Sequence, residues 1–250
     1  MATLKSKTLA LWTLLLANAA VARPVGAEAV PGDPLAYDRV TELGGVSLNL
    51  DATHVYATIE PWQGRLEIVR YALESGEVAP ETLFAPPCAG LKTVVPDRQE
   101  KRLAFTCDPL GDERHKLHLV DIRTGAYLVP TPRDQLDLPC AFSPDGTVIY
   151  AARGYHIWGG TRIVTISTST GEARTLFATD NARLFCHDLS EDGRRLLIER
   201  YVDNGERYLG MLDLRHGAIE WLLREPRVEV KQPQFCLLYT SDAADDAMNV

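Results

Sequence analysis

Between residues 40 and 225 the sequence has no stretch that keeps an apolar period of 3.6 residues, so amphipathic helices are not its building blocks. It has no C-x-x-C pair, which removes the zinc-ribbon and thioredoxin-like readings. Outside its first thirty residues no apolar run comes near the about 20 residues that a membrane-spanning helix needs. Nor is there an excess of positive charge: 26 Lys and Arg stand against 34 Asp and Glu, a formal net charge of −8, with the two signs interspersed. A chain without a basic stripe has nothing to track a phosphate backbone, so nucleic acid is not an expected partner. What is present is 250 residues, 46% hydrophobic and 24% charged, which is the balance of a globular chain. The 18 Gly and 15 Pro are scattered as single residues and pairs, as in a chain with many turns.

The two ends read differently from the middle. Lys5 and Lys7 precede an apolar run over residues 8–22, and small residues then offer A-x-A-type cleavage sites after Ala22, Ala27 or Ala29. Residues 1–29 are therefore expected to be a signal peptide, and the mature protein to be exported, periplasmic or secreted, with no membrane attachment after cleavage. At the other end, residues 236–246 read CLLYTSDAADD, whose back-translation resembles the end of a transposase-based sequencing adapter. Residues 236–250 are expected not to be native, and the natural chain to continue past Phe235.

Residues 30–235 repeat. The clearest copy is FSPDGTVIYAA at residues 142–152, where Pro-Asp-Gly makes a tight turn into an apolar strand, and a second is LSEDGRRLLIE at 189–199. Laying the turns over one another brings Asp51, Gln99, Asp145 and Asp192 into register, with Val55, Leu103, Ile149 and Leu196 as the first buried strand positions. A second turn recurs at Ser75-Gly76, Thr124-Gly125, Thr170-Gly171 and His216-Gly217, and both series keep a period of 46–49 residues. Each unit parses as four strands, two about each turn. The expected fold is all-β, a partial β-propeller of about four four-stranded blades, with residues 230–235 starting a fifth.

The Ser-Pro-Asp-Gly strand pair, the segment GDERHKLHLVDIRTG at 111–125 and LLIERYVDNGERYLGMLDLRHG at 196–217 resemble the propeller blades of secreted peptidases of the prolyl oligopeptidase family. TolB-like periplasmic propellers carry a similar strand pair, although their second turn tends toward Asp-Ala-Asp-Gly where this chain has Asp-Ile-Arg-Thr-Gly and Asp-Leu-Arg-His-Gly. The peptidase resemblance implies a seven- or eight-bladed ring followed by an α/β-hydrolase domain with a Ser-His-Asp triad. The propeller would filter peptide substrates, and no catalytic residue would lie in this chain. The TolB resemblance implies a protein-binding module instead. The first two units depart from the motif, with Leu50-Asp51-Ala52 and Gln99-Glu100 at the turn.

Candidate chemistry within the blades is sparse, and neither a cofactor nor a metal is expected. Gly45-Val46-Ser47-Leu48-Asn49 lacks the second glycine of a nucleophile elbow, so Ser47 reads as a strand residue. His115 and His118 are three apart on a strand, on opposite faces, and read as solvent-facing rather than as metal ligands. Asp108, Asp112 and Glu113 read as a solvated acidic loop. Cys140 and Cys186 stand at equivalent places, five and six residues before their turn aspartates, and a bridge between neighbouring blades is the candidate disulfide, with buried free thiols the alternative. Cys88 and Cys107 complete the native set. Trp62, Trp158 and Trp221 read as inter-blade packing, and Arg153, Arg200 and Arg207 as ion pairs or as bidentate partners for a peptide carboxylate.

Overall fold

The computed structural model describes residues 42–49, 53–60, 66–73, 80–88, 90–108, 114–154, 161–202 and 205–226. The expected signal peptide, the turn residue Asp51, Trp62, Trp158, the expected start of a fifth blade and the adapter-like tail all lie outside them. Within them sixteen strands form four sheets, each a four-stranded meander. The first blade holds β1 (Glu42–Leu48), β2 (His54–Glu60), β3 (Glu67–Ala72) and β4 (Glu81–Phe84). The second holds β5 (Gly90–Pro96), β6 (Arg102–Asp108), β7 (Lys116–Asp121) and β8 (Tyr127–Leu128). The third holds β9 (Leu136–Phe142), β10 (Val148–Gly154), β11 (Thr161–Ser167) and β12 (Ala173–Ala178). The fourth holds β13 (Ala182–Leu189), β14 (Arg195–Val202), β15 (Glu206–Asp213) and β16 (Ile219–Pro226). The repeat unit is therefore one sheet, with the Pro-Asp-Gly-type turn joining its first two strands. The fold is all-β, a partial β-propeller.

Each second strand is apolar at successive positions because it is buried on both faces. Leu103, Phe105 and Cys107 of β6 pack with Tyr56 and Ile68 of the first blade, while Ala104 packs with Ile149, Ala151 and Val164 of the third. Tyr150 and Ala152 of β10 turn the other way, onto Leu184, Leu196, Ile198 and Leu212 of the fourth. The four register positions Val55, Leu103, Ile149 and Leu196 are exposed by 5% or less, as the period requires. The first strands lie side by side, β9 between β5 and β13. Their pairing with the second strands slips at Cys140 and again beside Cys186, β-bulges that recur from blade to blade. Cys140 and Cys186 are bonded to each other, with their Cα atoms 5.6 Å apart, and Cys88 is bonded to Cys107 of β6.

The turns are held by short side chains. Asp145 Oδ1 accepts hydrogen bonds from Ser143 Oγ at 2.6 Å and from the Thr147 amide at 3.1 Å, and Asp192 repeats the pattern with Ser190 and Arg194. These bonds, the serine hydroxyl first, hold both carboxyls below their usual range. The glycine after each aspartate takes a left-handed backbone, φ +68° at Gly146 and +69° at Gly193. In the second blade Glu100 occupies that place at φ +54°, and its side chain reaches the first blade. Its carboxylate accepts from Asn49 Nδ2 at 2.5 Å, from Arg70 Nη1 at 3.2 Å and from the Tyr56 hydroxyl. Partial burial pushes this carboxyl up, but the bonds from Tyr56 and Asn49, with the charges of His54 and Arg70, outweigh it and leave it lowered. On the other side Arg102 Nη1 donates to the Gly146 carbonyl at 2.7 Å, so the turns of neighbouring blades are stitched together.

Three expectations are corrected, two of them by two-sided burial. His115 and His118 are not solvent-facing but 8% and 4% exposed. Asp108 is 5% exposed and ends β6 rather than belonging to a solvated loop. Among the described residues Trp221 packs against Tyr208 of its own blade rather than between blades. It lies on the outermost strand, 39% exposed, edge-on to Tyr208, and a Cβ at Gly210 would come within 2.7 Å of its ring. His118 faces the first blade, stacked on Phe105 at 5.3 Å, with Tyr127 edge-on at 5.2 Å and hydrogen-bonded through its hydroxyl.

Burial in this aromatic setting pushes the His118 imidazole down to about 4. The unfolded chain takes up its proton below about 6.5, whereas the folded one refuses it until about 4, so folding stability is full above the upper value and falls as pH drops through this window. The loss expected from this one group is roughly 3 kcal/mol at the acid end. Chemical denaturation at pH 7.0 and pH 4.5 measures it: His118→Phe should show a smaller stability loss between the two than the parent chain, and equal losses would show that His118 is already protonated in the fold.

A candidate cleft on the fourth blade

The residues singled out in the sequence are scattered by the fold. Ser47 lies on β1, its hydroxyl buried and without a hydrogen-bond partner, so no base stands ready to activate it. Arg153 of β10 is bound inside the protein: its Nε and Nη2 donate to Asp137 Oδ1 and Oδ2 at 2.7 and 2.8 Å. Asp137 is fully buried and also accepts from Thr131 Oγ1 at 2.6 Å, whose oxygen in turn accepts from the Leu117 amide. This bidentate pair lies within the third blade, is linked through Thr131 to the Leu117 amide of the second, and leaves Arg153 no fork to offer a ligand. Arg200 holds the equivalent register position one blade on, but it pairs across to Leu184 where Arg153 pairs across to Asp137. Its guanidinium lies over the Tyr208 ring at 5.5 Å.

Arg207 is different. It opens β15 and lines a cleft of about 400 Å³ with Arg183, Phe185 and His187 of β13 and Glu199 and Tyr201 of β14. Strand pairing explains why these six meet: Phe185 lies opposite Glu199, Arg183 opposite Tyr201, and Tyr201 opposite Arg207. They share one face of the sheet, the face turned away from the third blade, because Leu184, Leu196 and Ile198 occupy the other.

The centre of the cleft is Glu199, only 3% exposed. One carboxylate oxygen accepts from Arg207 Nη1 at 2.8 Å, and the other lies 3.1 Å from His187 Nε2. The Arg207 guanidinium lies 5.0 Å from the centre of the Tyr201 ring and that of Arg183 5.5 Å from it, within the range of cation–π attraction. A buried carboxylate with a guanidinium and an imidazole on its two oxygens fixes both cation-forming groups in place. Of these six residues the sequence reading singled out Arg207 alone. The overlooked signal was Glu199 itself, a carboxylate seven residues after the turn aspartate, inside a strand that the repeat buries. Among the described residues no group of three or more His, Cys, Asp or Glu is placed to hold a metal ion.

No protein-family model matches the chain, and no curated protein matches it by sequence. Solved structures do match. A prolyl endopeptidase superposes with a TM-score of 0.59 at 16% identity, over 75% of this chain and 30% of its own. A putative TolB from Agrobacterium tumefaciens gives 0.59 at 15% identity, over 74% of this chain and 66% of its own, and oligopeptidase B from Leishmania major gives 0.55 at 17%, over 74% and 28%. The chain thus spans less than two thirds of the length of each. At such identities the likeness shows the fold, and that fold is the β-propeller common to TolB-like proteins and to the propeller domains of prolyl oligopeptidase-type peptidases.

Proposed function

We propose that this chain is the substrate-gating propeller portion of an exported serine peptidase of the prolyl oligopeptidase type, with the catalytic α/β-hydrolase domain following the blades. The observation that carries the reading is the superposition of all-β blades on prolyl endopeptidase and oligopeptidase B, in which this chain matches under a third of each partner's length. Two further features support it. One disulfide, Cys140–Cys186, bridges adjacent blades, and the other, Cys88–Cys107, ties the connection between the first two blades to β6, as suits an oxidising compartment reached by export. The first strands of successive blades stand side by side, the arrangement that lines a central channel in a propeller. In this role the blades bind no cofactor and perform no bond cleavage; they admit peptides of suitable size to the hydrolase. The second reading, a TolB-like protein-binding module, is favoured by the larger share of the Agrobacterium protein that the chain covers.

The native gene read past Phe235 separates the two. The expected result is a Ser-Pro-Asp-Gly-like turn, further blades and then a G-x-S-x-G segment, with the complete protein cleaving a prolyl peptide amide and losing that activity when the elbow serine becomes alanine. A stop codon after a completed ring with no hydrolase segment would establish the binding module instead.

A further inference from the structure

The three seams between neighbouring blades are tied by different chemistry. Between the third and fourth blades Cys140 and Cys186 form a covalent bond, and Thr161 Oγ1 accepts from the Leu184 amide. Between the second and third, Arg102 Nη1 donates to the Gly146 carbonyl and to Thr168 Oγ1 at 3.1 Å. None of these acceptors changes its charge in mild acid. The seam between the first and second blades is built otherwise, with a carboxylate at its turn end and an imidazole beside its middle strands.

Glu100 of the second blade, in the left-handed backbone at φ +54°, accepts from Asn49 Nδ2, the Tyr56 hydroxyl and Arg70 Nη1, and lies 3.3 Å from His54 Nδ1. Arg70 is shared with Glu81 of β4 at 2.5 Å. On the turn of Glu100 itself, Asp97 is engaged by the Lys101 amide. His118 lies on the face of β7 that the first blade covers. Its ring stacks on Phe105, its Nδ1 meets the Tyr127 hydroxyl, and Phe84 of the first blade packs on both of those rings. Its Nε2 is buried with no hydrogen-bond partner, and no charged group stands against the ring among the described residues.

We propose that the seam between the first and second blades is an acid-sensitive joint, which parts in mild acid while the other two seams hold. The signs of the two groups agree. Burial in the closed seam resists protonation of His118 down to about 4, whereas water reaching the ring in an open seam lets it take a proton below about 6.5. The seam is thus fully held above the upper value and weakens as pH falls through this window. Partial burial pushes the Glu100 carboxyl up, but its donors and the nearby positive charges leave it lowered, so its hold is full at neutral pH and is lost as it protonates. The strained backbone that those bonds offset then favours release. A ring that parts at one seam and holds at the next changes shape instead of melting. The inference stands under either reading of the function, because it concerns contacts between blades alone.

Hydrogen exchange of the purified chain at pH 7.0 and pH 5.0 tests it, with rates expressed as protection factors to remove the intrinsic pH dependence of exchange. Amides of β2 and β3 should lose protection roughly ten- to twentyfold at the lower pH, the size set by the lowering of His118 to about 4. Those of β10, β11, β14 and β15, across the seams that hold, should keep theirs. His118→Phe retains the ring packing without the titration and should remove most of the response. Glu100→Gln imitates the protonated carboxyl and should lower the protection of β2 and β3 already at pH 7.0, so the test remains decisive where the histidine variant does not fold. Equal losses in all these strands would make the acid response global and overturn the proposal. So would an undiminished response in folded His118→Phe, or unchanged protection in Glu100→Gln.

Discussion

The constraint on which the rest of the structure depends is that the two inner blades are sheets with no wet face near their centres. The second strand of a blade is covered by the preceding sheet on one side and the following sheet on the other, so β10 buries Ile149 and Ala151 against the second blade and Tyr150 and Ala152 against the fourth. Apolar burial at about 25 cal/mol per Å² is the term that orders the blades. It also sets the rule for every polar group that enters these strands. Asp137 and Arg153 are tolerated because each satisfies the other with two hydrogen bonds, and Glu199 because a guanidinium and an imidazole meet its two oxygens.

The turns answer a second constraint, that neighbouring blades must be held at their ends as well as through their faces. Where the turn is Asp-Gly, the aspartate caps the turn and the glycine takes the left-handed backbone. Glu100 shows what happens when those two needs compete. A non-glycine residue in that conformation costs about 1–2 kcal/mol, while hydrogen bonds to a charged group contribute about 1.5–3 kcal/mol each. With Asn49, Tyr56 and Arg70 all donating to its carboxylate, the contacts outweigh the strain. The degenerate motif of the second unit is thus a turn that has exchanged backbone ease for a link to the first blade.

Much of this architecture was legible in the amino-acid order. Two turn series with one period give the blade count, the strand assignment and the buried positions Val55, Leu103, Ile149 and Leu196, because turn chemistry and strand burial are local properties. What was not legible depends on which sheet covers which face. Alternation alone makes His118 a surface residue, yet its ring packs on Phe105 and Tyr127 of neighbouring strands, which Phe84 of the first blade packs against in turn. Cys88 has no equivalent in the other units, so its bond to Cys107 leaves no trace in the repeat. The cleft was missed for the opposite reason. Its residues lie on β13, β14 and β15, and only cross-strand register brings Phe185, Glu199, Tyr201 and Arg207 onto one face.

Two-sided burial is tested most directly by hydrogen exchange of backbone amides in the folded chain. The amides of β10 from Ile149 to Ala152, enclosed by sheets on both sides, should exchange only through global unfolding. Those of β16, where Trp221, Leu222 and Leu223 are 37–50% exposed, should exchange faster through local opening. Equal rates in the two strands would contradict the claim that neighbouring blades, rather than pairing within each sheet, hold the structure together.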